Sequence, residues 1–254
     1  MEKNPHENKL IVFEGIDLVG KTTMCEMSEE WINSIALERG LRGEEKFRAI
    51  GHDEMTSIQS KLFFEIDSDF IDKRKLRDLL MGKRRKSAVR LEQVPFDYPD
   101  RYKKVKEIEC PDKALVVYLR RLAYKNKILN VLLPHFNMIC DRYVHSILAR
   151  ARAQGANFAN MNLDQIEAIA PDLTVLLTLD ERQRTERLNL RDRDSITPYD
   201  KLRKSPGSFM ETMEENLKTF SPEIVDCTSK TREQIFMTFL RPKLNTTLNV
   251  AETL

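Results

Sequence analysis

"FEGIDLVGKTT", Phe13 to Thr23, is the stretch that decides the fold. Gly15 and Gly20, two of the chain's eight glycines, frame Ile16, Asp17, Leu18 and Val19, and Lys21 and Thr22 follow directly. The pattern is G-x-x-x-x-G-K-[ST] without a mismatch. Glycines let successive backbone N–H groups curl round phosphate oxygens, and a helix starting at the second glycine aims its positive dipole end at them. Lys21 then reaches the β and γ phosphates, and Thr22 and the neighbouring Thr23 offer hydroxyls, Thr22 to a Mg²⁺ ion. Asp17 is the unexpected member, because a carboxylate beside bound phosphates repels them unless it faces elsewhere or receives a hydrogen bond. It is expected to point toward a second substrate.

The flanks supply the context that this motif requires. "KLIVF" (Lys9 to Phe13) is a short apolar run rich in β-branched residues, expected as a buried strand. From Thr22 to Arg39 the apolar residues Met24, Met27, Trp31, Ile35 and Leu37 recur at near-helical spacing, and Gly40 and Gly43 supply a stop. "KFRAI" (Lys46 to Ile50) is a candidate second strand. Between about 65 and 113 the chain turns strongly charged, with "DKRKLRD", "GKRRKSAVR" and "PFDYPDRYKK", and reads as an inserted helical region.

Regularity returns with a long amphipathic helix from about Lys113 to Leu133, stopped by Pro134. "FNMIC" is a central-strand candidate ending in "DRY" at Asp141 to Tyr143, and a helix follows from about His145 to Ala153. "NLDQIEAIA" (residues 162–170) reads as another helix, with Asn162 as its N-cap. "LTVLLTL" (Leu173 to Leu179) alternates too little for a half-exposed strand and is expected to be buried on both faces. A charged helix in "ERQRTERLNLRDRD", a helix in "FMETMEENLKTF", a strand in "EIVDC" and a closing helix in "TREQIFMTFLRPKL" complete the chain. Strands alternating with helices imply an α/β fold, a parallel central sheet covered by helices on both faces, in one domain over 1–254.

Composition narrows the function. Of 254 residues, 42 are Lys or Arg and 40 Asp or Glu, so a formal net charge of +2 argues against a general nucleic-acid wrapper. The basic run from Lys73 to Arg90 lacks base-stacking aromatics through most of its length and reads as a solvated face. Cys25, Cys110, Cys140 and Cys227 are far apart with no paired spacing, and no leader or membrane-spanning run is visible, which points to a reduced, cytoplasmic setting.

Two further elements fit a phosphoryl-transfer site. Asp141 follows a buried strand, where it can meet Mg²⁺ or its waters, and Arg142 beside it can bridge donor and acceptor phosphates. Arg187, Arg191 and Arg193, in a stretch expected to act as a lid over about 188–206, can close over the transferred group. A surface ion pair at Asp141–Arg142 and a solvated helix end at the lid are the ordinary alternatives.

These three elements, in this order and with "PDLTVLLTLD" between the second and third, resemble the thymidylate kinase family of nucleoside monophosphate kinases. The resemblance covers most of Leu10 to about Phe239 apart from the charged insertion. The family's "FEGxDxxGK[ST]T" corresponds to Phe13–Thr23, its "DR[YH]" to Asp141–Tyr143 and its "PDL" to Pro171–Leu173. It implies a three-layer P-loop kinase, usually a homodimer, that moves the γ-phosphoryl of Mg-ATP onto dTMP. By that likeness Lys21 and Thr22 bind ATP and Mg²⁺, Asp17 contacts the acceptor's sugar, and Arg142 lies between the phosphates. With Leu18 in the loop and Arg191 and Arg193 downstream, the chain is similar to members whose catalytic arginine sits in the lid.

At the acceptor the sequence departs from the pattern. Arg120 fits the family's base-contacting arginine, but Val116 holds the aromatic position four residues earlier. After "DRY", Arg150 and Ala151 stand where a tyrosine and glutamine are usual, and Arg48 is only near the expected acceptor-phosphate arginine. The reading is therefore a nucleoside monophosphate kinase with dTMP as default acceptor. A kinase of deoxynucleosides or other small acceptors and a nucleotide-binding regulator without transfer activity are the alternatives; the former more often shows Glu-Arg than Asp-Arg after the central strand.

Overall fold

The computed structural model describes residues 2–4, 7–38, 49–50, 125–126, 129–130, 132–153, 168–190 and 209–250. The charged region at 65–113, most of the helix expected over 113–133 and the lid from Arg191 to 206 lie outside the described residues.

The strands expected from apolar runs form one all-parallel sheet. β1 (Glu2–Lys3) stands apart, and β2 (Leu10–Glu14) leads through the glycine loop into α1 (Lys21–Glu38). β3 (Ala49–Ile50), β4 (Asn137–Asp141), α2 (Val144–Ala153), β5 (Ile169–Ala170), β6 (Leu173–Thr178) and α3 (Glu181–Asn189) follow. Then come α4 (Phe209–Lys218), β7 (Glu223–Asp226), and a closing helix made of α5 (Arg232–Ile235), a π-helical turn (Phe236–Leu240) and α6 (Arg241–Thr247). Among the described residues this sheet has five strands in the order β3-β4-β2-β6-β7, which places the loop-bearing strand in the middle. Phe13 pairs with Asp141 on one side and Val175 on the other, so the carboxyl ends of β2 and β4 finish level.

All five residues of β2 are buried, which is what a central strand covered on both faces requires. Ile11 and Phe13 pack with Val175, Leu177, Met24, Cys25, Ile32, Phe236 and Leu244 on the α1 face, and Trp31 meets Phe236 edge-on with centroids 6.3 Å apart. Leu176, pointing the other way along the period-2 alternation of β6, packs with Ala149, Met213 and Leu217 from α2 and α4. The sheet is thus the middle of three layers.

One local feature corrects the sequence reading and another refines it. Of the helix expected over 162–170, residues 162–167 lie outside the described residues, and its end is not helical: Ile169–Ala170 is extended and pairs with Glu2–Lys3 in a separate two-stranded parallel ladder. Ile169 also donates its N–H to the Tyr143 hydroxyl at 3.2 Å, a tertiary bond that helical local preference cannot foresee. The closing helix widens before Pro242: the Arg241 N–H bonds to the Phe236 carbonyl, five residues back. Proline lacks an N–H and crowds the carbonyl four residues earlier, and the wide turn relieves that crowding.

Candidate active site

The loop after β2 adopts conformations that its glycines permit. Gly15 has φ +137° and Gly20 φ +99°, regions that residues with a Cβ avoid. A Cβ on Gly15 would stand 2.5 Å from the Leu177 carbonyl oxygen, so the loop packs against β6 too tightly for any side chain. Leu18, at φ +71°, takes a left-handed conformation between them. The side chains of Ile16 and Val19 are buried in the core, so what these residues can offer a phosphate is backbone N–H. α1 begins at Lys21, with Thr22 and Thr23 in its first turn, so its unpaired N–H groups open onto the loop.

Lys21 is 6 % exposed and donates from Nζ to the Ile16 carbonyl at 2.9 Å. Burial, with the Arg142 guanidinium as second cause, pulls its pKa down from 10.5 to about 8. The site therefore holds an ammonium group short of water, an effect that the nearby carboxylates of Asp141, Asp17 and Glu14 only partly offset. An anion brought into the loop would supply what is missing.

The next strand brings its residues to the same place. Thr22 Oγ1 donates to Asp141 Oδ2 at 2.8 Å, linking the start of α1 to the end of β4. A hydroxyl and a carboxylate at this separation are hard oxygen donors of the kind Mg²⁺ takes alongside substrate phosphates and water. Arg142 follows with φ +66°, its N–H bonded to the Phe13 carbonyl at 2.9 Å and its own carbonyl receiving Lys125 Nζ at 2.6 Å. Its guanidinium pairs with the Asp17 carboxylate and lies 3.3 Å from Ser146 Oγ. The carboxylate that looked out of place in a phosphate loop is thus neutralised by the arginine opposite.

Arg187, in the last turn of α3, reaches across to the loop and donates from Nη1 to the Leu18 carbonyl at 2.9 Å. α3 is positioned by Asp180, whose carboxylate accepts the Gln183 N–H at 2.6 Å as an N-cap. Arg150 lies on α2 one turn beyond Ser146. The structure brings together Gly15 through Thr23, Asp141, Arg142 and Arg187. Arg48, Val116, Arg120, Arg191 and Arg193 lie outside the described residues.

Three supporting residues were not singled out in the sequence. Glu14, 1 % exposed, ends β2 and accepts the Tyr143 N–H at 2.9 Å, the Ser146 N–H at 3.3 Å and the Ser146 hydroxyl. Ser146 touches both Glu14 and Arg142, and Lys125 holds the Arg142 carbonyl. A carboxylate at the end of an otherwise apolar strand is the one signal that was available, since a buried charge needs partners. Beside them, His145 is buried with its ring 4.9 Å from that of Phe220, and desolvation keeps its pKa below the usual imidazole value.

Comparison with known proteins finds similarity in both sequence and structure. A family model described as thymidylate kinase matches residues 102–235. A protein of Methanococcus vannielii named "Probable thymidylate kinase" is 24% identical over 234 residues, covering 90% of this chain and 92% of that protein. A protein of the same name in Methanococcus maripaludis is 25% identical over the same shares. Among solved structures, the thymidylate kinase of Candida albicans is 17% identical, covers 95% of this chain and 93% of its own, and superposes with a TM-score of 0.48. A deoxyadenosine kinase of M. mycoides with bound dCTP is 11% identical, covers 93% of this chain and 99% of its own, and superposes at 0.42.

Proposed function

Because the chain belongs to the thymidylate kinase family, we propose that it moves the γ-phosphoryl group of ATP onto dTMP, giving ADP and dTDP. The observation that carries this reading is the convergence of Lys21, Thr22, Asp141 and Arg142 at the level carboxyl ends of two adjacent parallel strands. In open α/β sheets that edge is where ligands bind.

In this reading the loop from Gly15 to Thr23 wraps the triphosphate with backbone N–H groups. Lys21 exchanges its bond to the Ile16 carbonyl for the β and γ phosphate oxygens. Thr22 and Asp141 would hold Mg²⁺, directly or through water; when bound, the ion neutralises charge on the phosphates and holds them in line. Arg187, already on the Leu18 carbonyl, steadies the loop and lies on the donor side. The acceptor's sugar hydroxyl engages Asp17, which frees the Arg142 guanidinium to lie between the acceptor phosphate and the transferred group. An oxygen of the acceptor phosphate forms the new P–O bond as the bond from the γ-phosphorus to the β–γ bridging oxygen breaks, and ADP departs with that oxygen. The loose transition state asks for positioning and charge neutralisation more than covalent help.

Arg191 and Arg193 would close from a lid over about 188–206, while Arg48, Arg120 and Arg150 would contact the acceptor, with Val116 beside its base. One kinase domain over 1–254, assembled as a homodimer in the cytoplasm, completes the reading. Among the described residues no helix is long and apolar enough to cross a membrane. The test is production of dTDP from dTMP and Mg-ATP by the full chain, and its loss in Lys21→Ala with the fold retained.

A further inference from the structure

We propose that Glu14 and Ser146 are positioning residues for Arg142, forming a polar relay that ties the phosphate-loop strand to the arginine across the site. Glu14 immediately precedes the glycine loop and its side chain is fully buried, yet nothing in the phosphoryl-transfer scheme uses it. Its carboxylate instead accepts three bonds from the segment that carries Arg142: the Tyr143 N–H at 2.9 Å, the Ser146 N–H at 3.3 Å and the Ser146 hydroxyl.

The polarity of the relay follows from the donor inventory. A carboxylate only accepts, so the single proton of the Ser146 hydroxyl is committed to Glu14. The remaining lone pairs of Ser146 Oγ are then turned outward, where Arg142 Nη1 lies at 3.3 Å. Glu14 thus makes Ser146 an acceptor for the guanidinium, where an uncommitted hydroxyl could equally present its proton. The backbone of Arg142 is fixed separately, in the left-handed region, by the Phe13 carbonyl and by Lys125 Nζ. Its guanidinium has two holds among the described residues, Asp17 and Ser146. Asp17 is the hold that an incoming acceptor would take over, which leaves Ser146 to keep the arginine in place during transfer. The inference rests on the proposed meeting of Arg142 with the acceptor phosphate, and one arm of its test is independent of that.

The experiment compares Ser146→Ala, Glu14→Gln and the double variant in the full-length protein. The amide introduced by Glu14→Gln keeps the shape and an oxygen for the two backbone N–H groups, but its NH₂ donates to Ser146 and turns the hydroxyl proton toward the arginine. Each single variant is expected to lower kcat for dTMP about tenfold, less than the roughly hundredfold cost of a full 1 Å misplacement, with KM for ATP unchanged. The double variant is expected to match the singles, because both break one relay. Independently of turnover, the Arg142 Nε–H resonance, assigned by its loss in Arg142→Lys, is expected to shift and broaden in Ser146→Ala. An unaltered resonance, additive losses in kcat, or single-variant kcat equal to wild type overturns the relay. If Arg142→Ala turns over dTMP like wild type, the proposed function of Arg142 fails instead, and the resonance alone decides whether the relay exists.

Discussion

Thr22 Oγ1 donates to Asp141 Oδ2 across 2.8 Å, so the hydroxyl that opens α1 and the carboxylate that closes β4 share one point in space. If that point is where Mg²⁺ binds, Asp141→Asn leaves the hydrogen bond possible while removing a negative charge. The variant is expected to need at least several-fold more Mg²⁺ for half-maximal rate, with little change in thermal stability. A Mg²⁺ titration of initial rates checks this; a curve superposing on wild type places the metal elsewhere.

Lys21 gives a prediction in pH. Its folded pKa of about 8 lies below its ordinary 10.5, so as pH rises the folded protein releases this proton before the unfolded chain does. The unfolded state then binds more protons between these values, and stability must rise with pH across about 8 to 10.5. Below pH 8 the buried ammonium costs the free protein on the order of 3 kcal/mol, from about 1.4 kcal/mol per unit. Lys21→Met is therefore expected to be more stable than wild type at pH 7, with the difference shrinking toward pH 10.5. Bound triphosphate favours the charged form, so ATP binding at pH 8.5 to 9.5 should take up a proton, visible as a dependence of calorimetric heat on buffer ionisation enthalpy.

The two loop glycines should differ in what they tolerate. Alanine at Gly20 carries the strain of φ +99°, on the order of 1–3 kcal/mol, with its nearest neighbour, Arg187 Nη1, a comfortable 3.9 Å away. Gly15→Ala adds to similar strain a Cβ only 2.5 Å from the Leu177 carbonyl oxygen, an overlap with backbone. Forcing that overlap adds roughly another 1–3 kcal/mol. Chemical denaturation should rank Gly15→Ala as clearly the less stable; equal losses would contradict the packing of the loop on β6.

How much of this was legible beforehand follows from the range of each interaction. The loop could be read because its geometry needs glycine at two fixed places and a lysine at the helix start, all within Phe13–Thr23. "LTVLLTL" could be read because a strand buried on both faces needs consecutive apolar residues, and Val175, Leu176 and Leu177 in β6 are all buried. Ile169–Ala170 could not, because two residues carry no period and their pairing with Glu2–Lys3 closes over most of the chain. The Asp17–Arg142 pair is a similar case: each residue was singled out alone, but sequence spacing says nothing about which carboxylate faces which guanidinium. Glu14 escaped notice because its partners, Tyr143 and Ser146, are brought to it by the register of β4 on β2.

Arg187 offers a check on the donor side. Its bond to the Leu18 carbonyl braces a loop residue held at φ +71°. Removing it in Arg187→Ala should raise KM for ATP by about tenfold, the value of a roughly 1.5 kcal/mol charged hydrogen bond. KM for the acceptor should change much less. Equal rises in both would mean that the arginine serves the whole site and not the donor loop.

The most direct measurement offers the purified full-length protein Mg-ATP with a panel of deoxynucleoside monophosphates and deoxynucleosides, following ADP and the phosphorylated product together. Thymidylate kinase activity requires dTDP from dTMP at a rate well above that of any deoxynucleoside, and no product from Lys21→Ala. Phosphorylation of deoxynucleosides with none of the monophosphates accepted, or ATP binding with no transfer to any member of the panel, would contradict it.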